Sequence, residues 1–501
     1  MNIEAAYQEL RRCFREIALI NSGQAVLLWD MQTFMPPASH SFRAEQMALF
    51  AGESHKRAYD PAIGELLAQV ESHPDSDPLS PMGVNIREWR RAYDRLTRIP
   101  LDLQTALTRA AAEGRGAWES AKQANDWGLF APKLAEIVSL KIQEAQAVGY
   151  QGEAYDALLN AYEPGATTQA LEPVLRDLAK GLALLVWEIM DQRRPESDLL
   201  RAKVPREKQE ALARRMVEKL GYDFQAGRLD PTAHPFCTEI GPRDVRITTN
   251  FESQDFTASL FAAMHETGHA LYSLGLPAEH WGEPMGTALS MGLHESQSRF
   301  WENCVARSFS FWKHFYPILQ ETLGALSGVP LADFHQAVTA VNPGLIRVQA
   351  DEVTYNLHIV LRFDLELALL RGQLSVADLP GAWREKMRDL LGLVPPDHAS
   401  GVLQDVHWSM GHFGYFPTYA LGNIYAAQLF AKAREVFPDM AESFAAGEFS
   451  FLLDWLRSEV HSQGGRYHPA GVLIEKVTGQ TPSARVLLDH LRQKYLTGMD
   501  I

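Results

Sequence analysis

The sequence predicts a mostly α-helical protein with one small sheet. Apolar residues recur at intervals of three and four, the period of an amphipathic helix, in six segments: Ala5–Ala25, Leu101–Ala124, Leu134–Val148, Gln169–Gln192, Lys208–Leu220 and Thr354–Leu370. Strand signals are scarce, and the clearest is Asp244–Phe251, which alternates apolar and polar residues before a turn at Ser253–Asp255. The sequence shows no internal repeat or low-complexity tract, so neither a fibrous repeat nor disorder is expected.

Length and loop composition predict two lobes. A chain of 501 residues is longer than a single hydrophobic core usually grows. Breaks rich in Pro, Gly, Ser and Asp occur at Ser72–Gly83, Arg193–Arg206, Gly227–Arg243 and Leu393–Gly401. We therefore expect an N-terminal helical lobe at 1–225 and a catalytic helical lobe at 226–501, joined in one contiguous unit with a soft boundary.

Charge and cysteine content exclude several partners. The 47 basic and 62 acidic residues give a net charge of -15, which repels nucleic acid and anionic membranes. No apolar stretch is long enough to span a bilayer, and the N-terminus lacks the features of a secretory signal. The three cysteines form no CxxC pair, which suits a reducing compartment. A cytoplasmic protein that binds neither nucleic acid nor membrane is expected.

A metal-binding motif lies in a segment with helical periodicity. His265-Glu266-Thr-Gly-His269 is an HExxH sequence; Asp255 can cap the start of its helix, and Gly275 can end it. Residues four apart share a helix face, so both imidazoles can bind one ion while Glu266 points toward the adjacent cleft. The alternative is a surface helix that happens to carry two histidines.

A catalytic zinc needs a third protein ligand and one open position. Glu295 is the preferred candidate because it follows His269 by 26 residues, enough for a turn and a second helix. Gly268 would permit close approach by that neighbouring helix. Glu279 and Glu283 are nearer in sequence but lie in a turn rich in Pro and Gly. One zinc ion per chain is expected, although cobalt or manganese would accept the same ligands.

The predicted chemistry is hydrolysis of a peptide or amide bond. Zinc lowers the pKa of its bound water to about 7 and polarises a carbonyl group. Glu266 can take the proton from that water during attack and pass it to the departing amine. The alternative from a different class is a non-catalytic zinc-containing peptide-binding protein. Structural zinc sites are usually closed by four ligands rich in cysteine, which disfavours that alternative.

Several short motifs together resemble the thermostable carboxypeptidase Taq family of zinc metallocarboxypeptidases over nearly the whole chain. They are the HExxH run, Trp29-Asp30-Met-Gln-Thr33-Phe-Met35-Pro36, His234-Pro-Phe236, Asp244-Val-Arg246-Ile-Thr248, His294-Glu295-Ser-Gln297, Ile346-Arg347-Val-Gln-Ala350-Asp351 and Gly401-Val-Leu-Gln404-Asp405-Val-His407-Trp408. One departure is Ala38, where the family's early motif commonly has Gly, and it affects only a local turn.

This resemblance implies a two-lobed helical metallopeptidase with a deep groove, and the small sheet is expected to be antiparallel and to lie near the active site. It implies a homodimer that removes single C-terminal residues, with broad specificity, from peptides with a free C-terminus. An oligoendopeptidase or dipeptidyl carboxypeptidase on the same scaffold is the alternative.

Arg347 is the first candidate for binding the substrate carboxylate, because it lies in a family-like motif and a guanidinium donates two parallel hydrogen bonds. The alternative is an ion pair with Asp351, four residues along a helix. Arg246 is the second candidate. Gln404 is a candidate for binding the substrate backbone or its carboxylate.

His407 and a downstream tyrosine are candidates for stabilising negative charge on the tetrahedral intermediate. By resemblance to the wider group of helical peptidases, Tyr419 is preferred over Tyr415. The strand that carries Arg246 either pairs with an extended peptide or is a structural edge. Packing near the site is the expected role of His234 and Phe236.

Overall fold

A computed structural model describes residues 3–72, 77–191, 198–251, 255–324 and 326–498. Within these ranges the chain forms three strands: β1 (Leu229–Pro231), β2 (Cys237–Gly241) and β3 (Asp244–Thr249). The same ranges contain twenty α-helices: α1 (Ile3–Thr33), α2 (His40–Ala58), α3 (Pro61–Glu71), α4 (Pro81–Arg98), α5 (Leu101–Ala124), α6 (Ala131–Val148), α7 (Ala154–Leu159), α8 (Thr168–Asp191), α9 (Arg206–Lys219), α10 (Phe256–Gly275), α11 (Met291–Arg299), α12 (Phe309–Leu323), α13 (Leu331–Val338), α14 (Tyr355–Leu370), α15 (Leu379–Leu391), α16 (Pro417–Val436), α17 (Met440–Ala446), α18 (Ser450–Glu459), α19 (Ala470–Thr478) and α20 (Ala484–Arg492).

The predicted fold class, mostly helical with one small sheet, is confirmed. The first predicted helix is longer than its apolar pattern and continues to Thr33, because no proline occurs before Pro36. The fourth ends at Asp191, and its predicted last residue, Gln192, lies outside the described residues. The first two of the three residues of the predicted turn, 253 and 254, also lie outside them. No helix in the described part of the chain is long and apolar enough to cross a membrane.

Two clusters of buried apolar side chains hold the helices together. A small cluster joins α1, α3 and α4 through residues such as Leu10, Leu67 and Trp89. A much larger one contains side chains from α5 through α20, and α14 and α16 are buried on nearly every face. Burial on all sides is typical of a central helix. The division into lobes at about residue 225 stays a prediction.

The sheet is mixed rather than wholly antiparallel, with strand order β1-β3-β2. β2 and β3 pair antiparallel, as predicted, whereas β1 pairs parallel to β3 with Leu229 opposite Ile247. The chain reverses direction between successive strands, so the first and third run the same way, and here they are neighbours. Sequence periodicity indicates where a strand occurs but not which strand lies beside it.

β3 is the central strand and has a neighbour on each side. An extended peptide therefore has no free edge of β3 to pair with, and β3 is not an edge of the sheet, so both alternatives for this strand were wrong. The outer edge of β2 contacts α1, where the Ser22 hydroxyl donates to the Ile240 carbonyl at 2.6 Å.

Candidate metal centre

The HExxH helix is α10, and its ends form as the sequence predicts. Asp255 is the N-cap and its carboxylate accepts from the Thr257 amide at 2.8 Å, while the helix ends at Gly275. His265 and His269 share one face, and their Nε2 atoms lie 3.6 and 3.4 Å from Oε2 of Glu295. The possible donor atoms of these three residues all lie within 4.8 Å of one another.

Glu295 is placed by close packing of α11 against two other helices. A Cβ atom on Gly268 of α10 would lie 2.4 Å from the Gln297 carbonyl oxygen, so only glycine allows this approach. A Cβ atom on Gly422 of α16 would lie 2.5 Å from Cγ of Glu295. The Ser290 side chain caps α11 by accepting from the Leu293 amide at 3.1 Å.

Both imidazoles are oriented by hydrogen bonds to their other ring nitrogen. Nδ1 of His265 lies 2.8 Å from Oε2 of Glu302, and Nδ1 of His269 lies 3.1 Å from the His294 carbonyl oxygen. An acceptor at Nδ1 fixes the proton there and leaves the Nε2 lone pair for a metal. Sequence reasoning missed Glu302, because no motif marks it and it lies in the π-helical segment Phe300–Val305, where the spacing of an α-helix does not apply.

Charges around the ligands keep Glu295 ionised. Arg299 donates to its Oε1 at 2.7 Å, and the Ser298 hydroxyl donates to its Oε2 at 3.0 Å. Burial opposes ionisation, but Arg299 and His265 hold the pKa of Glu295 well below its usual range. Two neutral imidazoles and one carboxylate fit a divalent cation such as zinc, and they leave a coordination position for water or substrate.

Glu266 lies beside this group and is buried. Burial raises the pKa of its carboxyl, and the adjacent His265 and His269 partly oppose that rise. A carboxylate of raised pKa is a stronger base than one in water. The nearer acidic candidates are placed elsewhere: Glu283 contacts Arg11 and His280, and Glu279 lies in a short 3-10 turn outside the donor group.

A cavity of about 450 Å³ is lined by the three possible ligand residues, His265, His269 and Glu295, and by Glu266. Further side chains with hydrogen-bonding groups line it, and they include Arg347, Tyr355, Tyr415 and Tyr419. Sequence reasoning missed Tyr355, which begins α14 and carries no motif signal of its own. The three possible metal ligands, the Glu266 carboxyl group, a guanidinium and several phenols therefore line one cavity.

Arg347 is 5% exposed and its guanidinium is held by the protein on one side. Nε and Nη2 donate to Oδ1 of Asp405 at 3.0 and 2.7 Å, and Nη1 donates to the Tyr355 hydroxyl at 3.0 Å. The alternative ion pair with Asp351 was wrong. The 3-10 turn Arg347–Gln349 ends before Asp351, so the two do not share a helix face, and Asp351 instead accepts from the Thr354 amide.

Gln404 contacts Arg347 rather than the cavity. Its Oε1 accepts from the Arg347 amide at 2.9 Å and from Nη2 of Arg362 at 2.8 Å. Its Nε2 donates to the Leu345 and Ser400 carbonyl oxygens, each at 3.1 Å. The side-chain amide therefore supports the turn that carries Arg347, and Gln404 is absent from the lining of the cavity.

His407 lies behind the phenols. Its Nε2 lies 3.5 Å from the Tyr419 hydroxyl, and Tyr419 and Tyr415 line the cavity whereas His407 does not. Burial lowers the pKa of His407 to about 3, so its ring is neutral at neutral pH. The pair is placed for the ring to orient the Tyr419 hydroxyl.

Arg246 lies on β3 and contacts the N-terminal helix. Its Nε and Nη2 donate to Asp244 at 2.8 and 2.7 Å, and its guanidinium lies 4.3 Å from the centre of the Trp29 ring. It is absent from the lining of the cavity, whereas Pro235 of the His234–Phe236 segment lines it. The early tryptophan motif thus contacts the sheet.

Helical architecture and an HExxH ligand set with an adjacent base define the class of the protein as a metallopeptidase. The sequence matches the profile of the carboxypeptidase Taq (M32) metallopeptidases over residues 9–495. The chain belongs to this family, and the predicted enzyme class, a metallocarboxypeptidase, is confirmed.

Individual relatives are similar over their full length. Thermostable carboxypeptidase 1 of Thermus thermophilus is 49% identical over 99% of both chains, and carboxypeptidase 1 of Bacillus subtilis is 35% identical over 99% of both. The crystal structure of an M32 carboxypeptidase from Deinococcus radiodurans superposes with a TM-score of 0.95 at 38% identity, covering 98% of this chain and 99% of that one.

Proposed function

We propose that this enzyme releases single C-terminal amino acids from peptides, with broad specificity, by attack of a water that Glu266 activates. One observation carries the proposal: Arg347 lines the same cavity as His265, His269 and Glu295. An exopeptidase must bind a free carboxylate next to the scissile bond, and a guanidinium donates two parallel hydrogen bonds to such a group.

Arg347 keeps donors for that carboxylate. A guanidinium has five N–H groups. Two of those on Arg347 donate to Asp405 and one donates to Tyr355. One N–H group on Nη1 and one on Nη2 therefore remain available to a substrate carboxylate. A C-terminal carboxylate bound there has its preceding peptide bond directed into the cavity that holds Glu266.

A zinc ion held by the ligand set would polarise the scissile carbonyl and lower the pKa of a water molecule. Glu266 accepts the proton of that water and then donates it to the departing amine. The Tyr419 hydroxyl, oriented by His407, donates a hydrogen bond to the oxygen that gains negative charge. We propose one zinc ion per chain, with cobalt or manganese as possible replacements.

We also propose a cytoplasmic homodimer. The free state of Cys13, Cys237 and Cys304 supports a reducing compartment. The dimer rests on the family resemblance, and sedimentation equilibrium tests it through the mass in solution.

The deciding experiment combines metal analysis with mass spectrometry of the products from matched peptides. We expect one metal equivalent per chain, stepwise loss of single residues from free-acid peptides, and no cleavage of their C-terminally amidated forms. Internal fragments would indicate an oligoendopeptidase, and dipeptides a dipeptidyl carboxypeptidase. Arg347→Met should abolish the preference for the free acid. Equal cleavage of amidated peptides by the unaltered enzyme would overturn the proposal.

A further inference from the structure

The carboxylate of Asp405 is shared by two arginines. Arg347 donates to its Oδ1 from Nε and Nη2, and Arg362 donates to its Oδ2 from Nε at 2.7 Å. Arg362 lies on α14 and belongs to none of the motifs in the sequence. Arg362 is nevertheless linked to Arg347, because both donate to Asp405.

Arg362 is fully buried and all its contacts are within the protein. Nη1 donates to the His358 carbonyl oxygen at 2.7 Å, and Nη2 donates to Oε1 of Gln404 at 2.8 Å. The guanidinium lies 4.7 Å from the centre of the Trp383 ring. Arg362 has no direct access to substrate, and it contacts the two residues, Asp405 and Gln404, that hold Arg347.

The charges in this cluster do not cancel. Two guanidinium groups and one carboxylate sum to one positive charge. Burial opposes ionisation of Asp405, but Arg362 and Arg347 hold its pKa below the usual range. Burial lowers the pKa of the neighbouring His358 and His407 to about 3 each, so both rings are neutral near pH 7. The surplus positive charge faces the cavity on Arg347 alone.

We infer that Arg362 is a positioning residue that neutralises Asp405, so that Arg347 is held in place and still offers a full positive charge to the substrate carboxylate. Without Arg362, Asp405 and Arg347 would form a neutral pair with less attraction for an anion. A carboxylate that fixes the direction of Arg347 also cancels its charge unless a second cation compensates the carboxylate. This inference rests on the proposed role of Arg347.

A purely structural role of Arg362 makes a different prediction. If Arg362 only fills space in α14, its replacement should weaken every ligand equally and lower stability. If it balances charge, its replacement should weaken the binding of a free carboxylate selectively. The same logic predicts that neutralising Asp405 as well would restore binding, because Arg347 alone then provides one positive charge.

The experiment measures kcat and KM for a free-acid peptide, and the inhibition constant of its amidated form, in the zinc-loaded enzyme. For Arg362→Gln we expect KM to rise about 10- to 100-fold, kcat to change less than about 3-fold, and the inhibition constant of the amide to change less than about 2-fold. The double variant Arg362→Gln with Asp405→Asn should return KM to within about 3-fold of the original value. Arg371→Gln, at an exposed ion pair just beyond the same helix, is the matched control and should leave KM unchanged.

Thermal unfolding shows whether Arg362→Gln is folded. Arg362→Lys is a second variant, which keeps the positive charge. It should raise KM clearly less than Arg362→Gln does, because it keeps a positive charge beside Asp405 although it loses the other guanidinium contacts. An increase in KM as large as in Arg362→Gln, an equal loss of amide binding, or a double variant no better than the single one would overturn the inference. Failure of the proposed function is distinct, because Arg347→Met would then bind free acid and amide as the unaltered enzyme does.

Discussion

Nδ1 of His265 lies 2.8 Å from Oε2 of Glu302, which fixes how the first imidazole of the HExxH motif presents its other nitrogen. Glu302 is itself held by Arg299 and Arg307, each 3.3 Å from one of its oxygens. Burial opposes ionisation of Glu302, but these arginines and His265 lower its pKa to about 2. A charged acceptor therefore holds the ring in the form that leaves Nε2 free for a metal.

Glu302→Gln should weaken metal binding about 10- to 100-fold, because the amide is a weaker acceptor and does not fix the ring tautomer. Competition with a zinc chelator measures this change. Glu321→Gln, an exposed position on α12, is the control and should bind zinc normally. Unchanged zinc affinity in Glu302→Gln would show that the contact does not orient His265.

Glu266→Gln should keep the metal while kcat falls by about 10² to 10⁴, because glutamine cannot accept the proton from water. Zinc content by atomic absorption and kcat on a free-acid peptide are measured on the same preparation. Activity within a few-fold of the original would remove Glu266 from the proposed mechanism, whereas loss of zinc would make it a structural residue.

The position of His265 and His269 on one helix face was predictable because its geometry is local. Two histidines four apart face one side of any α-helix, and the capping residue Asp255 and the ending at Gly275 are also short-range features. Gly268 indicated that a second helix would come close, and the structure places α11 there. Periodicity and capping therefore predicted α10, and Gly268 predicted that another helix, now seen to be α11, packs against it.

The supporting contacts were not predictable from spacing. A π-helical segment, Phe300–Val305, follows α11 and changes the number of residues per turn, so helical spacing could not place Glu302 beside His265. Arg246 was correctly placed on a strand. Its contact with Trp29, however, comes from a helix distant in sequence, and only the folded chain shows that Trp29 covers it.

Gly268→Ala should destabilise the protein by about 1–3 kcal/mol and weaken zinc binding, because the new Cβ would overlap the α11 backbone. The matched control is Gly116→Ala, at an exposed position of α5 where no neighbouring element lies within 4 Å of the new Cβ. There alanine should stabilise by about 0.5–1 kcal/mol, since it has a higher helix propensity. Urea unfolding measures both, and equal effects at the two sites would contradict the packing argument.

Tyr419→Phe should lower kcat about 10²- to 10³-fold with little change in KM, because a donor to the developing oxyanion acts only in the transition state. Tyr415→Phe is the matched control: it also lines the cavity, but the hydroxyl near His407 belongs to Tyr419. We expect it to change kcat less than about 10-fold. A larger effect at Tyr415 would reverse the assignment of the donor.

Glu163 is a buried carboxyl that makes stability depend on pH. It accepts from the Gly292 amide near the start of α11, yet burial raises its pKa from 4.5 to about 8. Its contribution to stability is fully present below pH 4.5 and is lost as pH rises toward 8, because the unfolded chain releases a proton that the folded chain keeps. The free energy of unfolding should therefore carry a falling component across this range.

Glu163→Gln removes this titration and keeps an oxygen that can accept from Gly292. The variant should be similar to the original near pH 4.5 and become progressively more stable relative to it up to pH 8, by on the order of a few kcal/mol. Urea unfolding of both proteins in the same zinc-saturated buffers, at several pH values, measures the difference, and contributions from all other groups cancel. If the difference in unfolding free energy between the two proteins stayed constant with pH, Glu163 would have the same pKa in the folded and unfolded chain. If the relative stability of Glu163→Gln fell as pH rises, the folded protein would hold Glu163 as a carboxylate.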